Sequence, residues 1–304
     1  MSAKRHSLKT RIISALAVGL ICLFGALPLA VNRALGGFFG WLMYLFPSDN
    51  KRSALINLKL CFPDKSEAER RQLARATLIE SGKGALEVAW VWRNPHKALT
   101  LVRNIKGEQL LADAMTSGRP VVVLAPHVGC WELMNYWLSS HYDMHILFMP
   151  SGLPGVDALI QKSRETFRTT AYPITPEGVA ELNKSLTQGH VITGVLPDQV
   201  ALRGRGIFVD FFGVPAYTSP HSCRLIQKHN AIAVTVAAKR LPGSQGYDLF
   251  IEPTSEALFD ENVEVALTAL NHDVEKAIME MPEQYLWSYK RFRRQPEGHP
   301  NPYV

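Results

Sequence analysis

Residues 12–31 contain no charged side chain, and Lys4, Arg5, Lys9 and Arg11 precede them. Twenty helical residues rise about 30 Å, the thickness of a bilayer's hydrocarbon core. Backbone polar groups have no water to bond there, so a single crossing segment must be helical. A cleaved signal peptide shares the basic flank, but no small-x-small site ends the run, because Pro28 occupies the −3 position before Ala30. Apolar residues resume after Arg33, with Phe38, Phe39, Trp41, Leu42, Met43, Tyr44, Leu45 and Phe46. Trp41 and Tyr44 are the amphipathic aromatics favoured at the lipid–water boundary. Residues 1–46 are therefore expected to form an uncleaved N-terminal membrane anchor with an interfacial segment, and residues 47–304 one further domain. Arg33, Lys51, Arg52 and Lys59 follow the run, so both flanks are basic and charge alone leaves orientation open.

Hydrophobic residues make up 47% of the 304 and charged residues 20%, which excludes general disorder. The formal charge of +6 suits anionic lipid, a phosphorylated substrate or an acidic protein. No zinc-finger spacing, RNA-binding aromatic signature or helix-turn-helix pattern accompanies it, so nucleic acid is not an expected partner. Cys22, Cys61, Cys130 and Cys223 are scattered without a C-x-x-C pair, which argues against structural zinc and a disulfide framework.

The body alternates helix and strand. Residues 67–92 read as a helix within a helical lead-in that runs to about residue 105. Residues 121–125 form a short, valine-rich apolar run, the signature of a strand covered on both faces. A helix to about residue 140 follows, then a strand at 146–149, helices at 156–167 and 177–188, and a second buried strand at 191–196. A helix at 219–228, strands at 232–238 and 247–251, and a helix at 262–279 complete the chain. This order predicts the α/β class: a central mixed, partly parallel sheet flanked by helices.

The main chemical signal is Val121-Val-Val-Leu-Ala-Pro126-His127-Val-Gly-Cys-Trp-Glu132. His127 lies just past the C-terminal end of a buried strand, where open α/β sheets bind ligands. Two residues five apart on one regular helix face about 140° apart. A His127–Glu132 pair therefore requires His127 to precede the helix, which Pro126 favours. Such a pair suits acyl transfer to a hydroxyl: the imidazole takes the alcohol's proton, and the carboxylate fixes its tautomer. Amides at the start of the following helix would serve the tetrahedral oxyanion. A bare H-x4-E recurs by chance, as a loop histidine and a surface carboxylate. Its place after a buried strand, in a chain with an anchor, sets this one apart.

His127-Val-Gly-Cys-Trp-Glu132 resembles the H-x4-D/E motif of lysophospholipid acyltransferases, and more closely that of the lipid A late acyltransferases. Leu196-Pro-Asp198-Gln199, the block Gly206-Ile-Phe-Val-Asp-Phe-Phe-Gly213-Val-Pro-Ala216-Tyr-Thr218, Asn57-Leu-Lys-Leu-Cys-Phe-Pro63 and Gln284-Tyr-Leu-Trp-Ser-Tyr-Lys-Arg291-Phe are similar to that family's blocks in the same order. The resemblance implies acyl transfer from an acyl carrier protein, with no other cofactor and no metal. It places the enzyme on the cytoplasmic face of the cell inner membrane, with an anionic bilayer as partner. The acceptor it implies is a hydroxyl of a lipid A precursor, in lipopolysaccharide biosynthesis. His127 and Glu132 would be catalytic, and Arg164 is similar to the family's arginine, although Arg168 stands where a glycine is common. Transfer to another membrane lipid and non-catalytic lipid binding are the alternatives. A serine esterase would show G-x-S-x-G, which is absent.

Other residues have two readings. Cys130 is either an acyl-accepting nucleophile beside His127 or a core residue. Asp198 and Gln199 either position substrate or the His127 loop, or form a plain turn. Phe208, Phe211 and Phe212 line an acyl groove or pack in the core. Lys290, Arg291, Arg293 and Arg294 meet headgroups, substrate phosphates or an acidic carrier, or form a solvated tail.

Overall fold

A computed structural model describes residues 7–304. Lys4 and Arg5, counted above in the basic flank, lie outside the described residues. Two helices open the fold, α1 (Leu8–Ala26) and α2 (Leu29–Leu45). The uncharged run 12–31 is thus not one helix, as expected from its length, but breaks at Leu27 and Pro28. Leu27 is extended, with φ −69° and ψ 151°, because proline disfavours helix at the residue before it and has no N–H to continue the ladder. Among the described residues, α1 is the one helix long and apolar enough to cross a bilayer alone, at 19 residues and mean hydropathy 1.7.

The remaining lead-in comprises α3 (Asp49–Cys61), α4 (Glu67–Arg93) and α5 (Pro95–Leu99). A capping box starts α4, with Ser66 and Glu69 exchanging side-chain and backbone bonds. The second apolar stretch, α2, lies along α4 at very close range. A Cβ on Gly40 would stand 2.1 Å from the Leu78 carbonyl oxygen, and one on Gly82 would stand 2.1 Å from the Gly36 carbonyl. Glycine on both sides is what lets the two backbones meet. Arg33, read above as a basic flank of the anchor, is instead buried. It bonds Glu87 at 2.7 Å and the Gly243 carbonyl at 2.7 Å.

The α/β part runs β1 (Val102–Lys106), α6 (Glu108–Thr116), β2 (Val121–Leu124), α7 (Trp131–His141), β3 (Met144–Phe148), α8 (Pro154–Arg164), β4 (Thr169–Pro173), α9 (Pro176–Gln188) and β5 (Ile192–Val195). It continues through the hairpin β6 (Ile207–Phe211) and β7 (Val214–Thr218), then α10 (His221–Lys228), β8 (Ile232–Arg240), β9 (Tyr247–Pro253) and α11 (Val263–Met279). Seven strands form one sheet in the order β1-β9-β8-β2-β5-β3-β4. The five from β8 to β4 are mutually parallel, and β9 with β1 runs opposite to them. The mixed, helix-flanked sheet expected from the sequence is present.

β2 occupies the middle of the sheet and all four of its residues are buried. Alternate side chains feed two cores: Val122 and Leu124 on the α11 side, Val121 and Val123 on the α7 side. Phe211 is buried in the first core, and Phe212 packs against Phe62 and Trp287. Phe211 fits the core reading, Phe212 is partly buried against the same core, and Phe208 is partly exposed beside the Tyr217 ring.

Candidate active site

His127 and Asp198 occupy equivalent positions on neighbouring strands. Leu124 pairs with Val195 in the parallel β2–β5 ladder, and each functional residue follows its strand's partner by three positions. The Ala125 amide continues the ladder to the Val195 carbonyl at 2.9 Å. Both chains then turn off at the C-terminal edge of the sheet.

There the Asp198 carboxylate takes two bonds from one residue: the His127 backbone N–H at 3.1 Å to Oδ2, and ring Nδ1 at 2.8 Å to Oδ1. An ionised carboxylate only accepts, so Nδ1 carries the proton and Nε2 bears the lone pair. Asp198 is 3% exposed and His127 15%, so the ring reaches from a buried brace toward an accessible edge. Burial alone would raise the Asp198 pKa; favourable electrostatics and hydrogen bonds from His127 outweigh it and hold the carboxyl below its ordinary 3.8. Gln199 donates its side-chain amide toward Nε2 at 3.2 Å. Trp131 meets the ring edge-on, with centroids 5.4 Å apart.

Glu132 lies elsewhere. His127 does precede the helix, as its pairing required, since α7 starts at Trp131. Yet no hydrogen bond joins Glu132 to His127 among the described residues. Glu132 is 3% exposed and pairs through both oxygens with Arg164, whose Nε donates at 3.2 Å and whose Nη2 donates to the other oxygen. The carboxylate bracing the imidazole is therefore Asp198, where the sequence reading had Glu132. Burial would lower the Arg164 pKa, but the Glu132 charge overrides it and raises it. Ser163, beside Arg164, bonds Tyr136 of α7 and the Trp92 carbonyl, which fixes α8 against α7 and α4. A cleft of about 70 Å³ opens at this pair, with Ala125, Met134, Met144, Ile146 and Leu196 among its apolar walls. A larger cavity of about 330 Å³ lies between α11 and β8–β9 and touches none of the four charged residues.

The loop between β2 and α7 is pinned on both sides. The Gly129 and Cys130 amides donate to the Gln284 and Ala238 carbonyls, at 3.2 and 2.8 Å. Gly129 has φ +64°, and a Cβ there would stand 1.9 Å from the Ala238 oxygen. These two amides are committed to the fold and are not available to a ligand. Cys130 is buried, and burial pushes its thiol far above the ordinary 9.0. Its place in the core fits the second of its two readings, a small apolar packing residue.

The basic cluster near the C-terminus divides. Lys290 pairs with Asp49 at 2.6 Å. Arg291 is 2% exposed and donates to the Tyr217 carbonyl at 3.0 Å and the Thr218 hydroxyl at 2.7 Å. Its burial contradicts a uniformly solvated tail and escaped sequence reading, because a lone arginine carries no local sign of what covers it. Arg293 is exposed and Arg294 partly so. Asn57 ties this segment to α3 by donating to the Trp287 and Tyr289 carbonyls, both at 2.7 Å.

An imidazole held by a buried carboxylate at the sheet's C-terminal edge, in a domain joined to an apolar helix, is the architecture of a membrane-associated α/β enzyme. Comparison with known proteins narrows the class. Residues 1–294 match the model of the bacterial lipid A biosynthesis acyltransferases, and the chain belongs to that family. It is similar to the lipid A biosynthesis lauroyltransferase of Escherichia coli K12, 27% identical over 289 residues that cover 95% of this chain and 94% of that one. The palmitoleoyltransferase of the same organism is also 27% identical over 289 residues, covering 94% and 93%. The myristoyltransferase is 26% identical over 271 residues, covering 88% and 82%. The protein is an acyltransferase.

Proposed function

We propose that the protein moves a fatty acyl group from an acyl-acyl-carrier-protein thioester to a hydroxyl of a lipid A precursor, at the cytoplasmic face of the inner membrane. The observation that carries this reading is the His127–Asp198 pair, with Nε2 unprotonated and directed away from its brace.

The acceptor hydroxyl takes the place of the Gln199 amide at Nε2. Its proton passes to the imidazole as the oxygen attacks the thioester carbonyl carbon. Asp198 stabilises the imidazolium that forms. The carbonyl oxygen becomes an oxyanion, met by the free amides of the first turn of α7. Collapse breaks the carbon–sulfur bond, and the departing thiolate takes the proton back from Nε2. A thiolate is far more stable than an alkoxide, so no stronger acid is required. Glu132 acts through Arg164, holding the guanidinium at the cleft mouth, where its charge favours the developing negative oxygen. Gln199 keeps Nε2 occupied until substrate arrives.

The test is acyl transfer by the full-length protein in detergent, with His127→Ala and Asp198→Asn beside wild type. A His127→Ala protein that folds and turns over at the wild-type rate would remove the general-base assignment.

A further inference from the structure

The loop following Asp198 is gripped by two tyrosines. Val200 donates its amide to the Tyr289 hydroxyl at 3.1 Å, and Ala201 donates to the Tyr217 carbonyl at 3.1 Å. Gly206 rests on the Tyr217 ring, where a Cβ would meet a ring carbon at 2.7 Å. Gln199, at the start of this loop, is the residue touching His127 Nε2. Each tyrosine also carries a guanidinium over its ring: Arg293 at 5.7 Å from the Tyr289 centroid and Arg294 at 5.5 Å from that of Tyr217. Two more arginines, Arg203 and Arg205, are exposed on the loop itself.

Among the described residues none of these four guanidiniums has a carboxylate partner, whereas neighbouring Lys290 is paired with Asp49. The Arg294 Nε is moreover buried with no hydrogen-bond partner. Stacking on an aromatic ring restricts a long cation before any ligand arrives, and a guanidinium's planar fork matches phosphate oxygens two at a time. Guanidiniums stacked on the tyrosines that hold the Gln199 loop, with their charge unspent within the protein, are suited to an anionic ligand.

We propose that Arg293 and Arg294, with Arg203 and Arg205 of the facing loop, form a subsite for a phosphate ester of one substrate, seated beside His127. It rests on the acyltransferase reading and adds the group by which that substrate is held. A phosphorylated lipid acceptor and the phosphodiester arm of an acyl carrier present the same chemistry, and kinetics separates them.

The experiment uses full-length protein in detergent with an acyl-carrier thioester and a phosphorylated lipid acceptor, the latter also supplied after phosphatase treatment. In the Arg293→Gln/Arg294→Gln protein, KM for the phosphorylated acceptor is expected to rise about tenfold, the scale of one charge-assisted contact. With kcat nearly unchanged, preference over the treated acceptor is lost, and the Arg→Lys counterparts retain part of it. A rise in donor KM alone also supports the subsite and makes the carrier its source. If neither KM moves, the subsite is absent. A second readout needs no turnover: inorganic pyrophosphate should raise the Tm of wild type and of His127→Ala, but not of the double Gln variant. Equal stabilisation of all three would overturn the subsite, whatever the fate of the general-base assignment.

Discussion

Two side-chain networks among the described residues differ in whether they are closed. In the first, Arg33 of α2, Glu80 and Glu87 of α4 and Arg240 of β8 pair with one another at 2.7–2.8 Å. Arg33, Glu87 and Arg240 are each 5% exposed or less. Burial alone would raise the Glu87 pKa, but Arg240 and then Arg33 bring it below its ordinary value. Lys83 also pairs with Glu80 at 2.5 Å, so three cations share two carboxylates, and every charged group in the set has a partner within the protein. The second network, Asp198–His127–Gln199, is equally well braced at its inner end but finishes on a ring nitrogen within reach of the surface. A closed network fixes one element against another. An open one presents a prepared atom.

Mutation should separate the two. The largest effect is expected at the open end: His127→Ala should lower kcat by about 10²–10⁴-fold, with a smaller loss of stability than in the closed network, because the backbone N–H still reaches Asp198 Oδ2 and only the ring's contacts with Asp198 Oδ1, Gln199 and Trp131 are lost. In the closed network the outcome reverses. Glu87→Ala leaves two buried guanidiniums short of a partner and should cost about 3–5 kcal/mol of stability. Denaturant unfolding in detergent would measure it, with turnover per folded molecule largely kept. Gly129→Ala combines a positive φ, which alone costs about 1–3 kcal/mol, with a Cβ 1.9 Å from the Ala238 carbonyl oxygen, so its loss of stability should exceed that range, and activity should fall too, since the loop carrying His127 must shift.

The acid limb of the pH profile sharpens the comparison further. The folded-state pKa of Asp198 is depressed, so its contribution to stability is complete above the ordinary value of 3.8 and is lost as pH falls through the lowered one. Asp198→Asn removes that carboxylate and should lower transfer across the profile through the wrong ring tautomer. The smallest effect is expected for Cys130→Ala: transfer near the wild-type rate and insensitivity to thiol alkylation in both proteins. Loss of transfer in that variant, with folding intact, would reopen a covalent route.

Much of the architecture could be read from local pattern. The valine run before His127 and the helix that follows it each state their conformation within one element. Edge elements were less legible. β1 and β4 are half-exposed strands of mixed polarity, and β4 ends in proline, so neither gives a clean alternation. The β6–β7 hairpin was visible only as a block of family resemblance. Its turn places Phe212 at φ +50° before Gly213 at φ +71°, and phenylalanine is not the residue that usually marks a left-handed turn position. The apolar run at the N-terminus was read one turn too long, although Pro28, the residue that divides it, was in plain view.

The sequence by itself determined that His127 and Asp198 each leave the end of a buried strand, because strand burial and the breaking effect of proline are local properties. Which carboxylate serves the imidazole was decided only by the tertiary structure. His127 and Asp198 are 71 residues apart and meet because β2 and β5 are neighbours in register. That adjacency comes from the packing of the intervening helices and strands, and no spacing along the chain encodes it. Glu132, five residues from the histidine, was the nearer choice in sequence, yet the onset of α7 turned it toward Arg164.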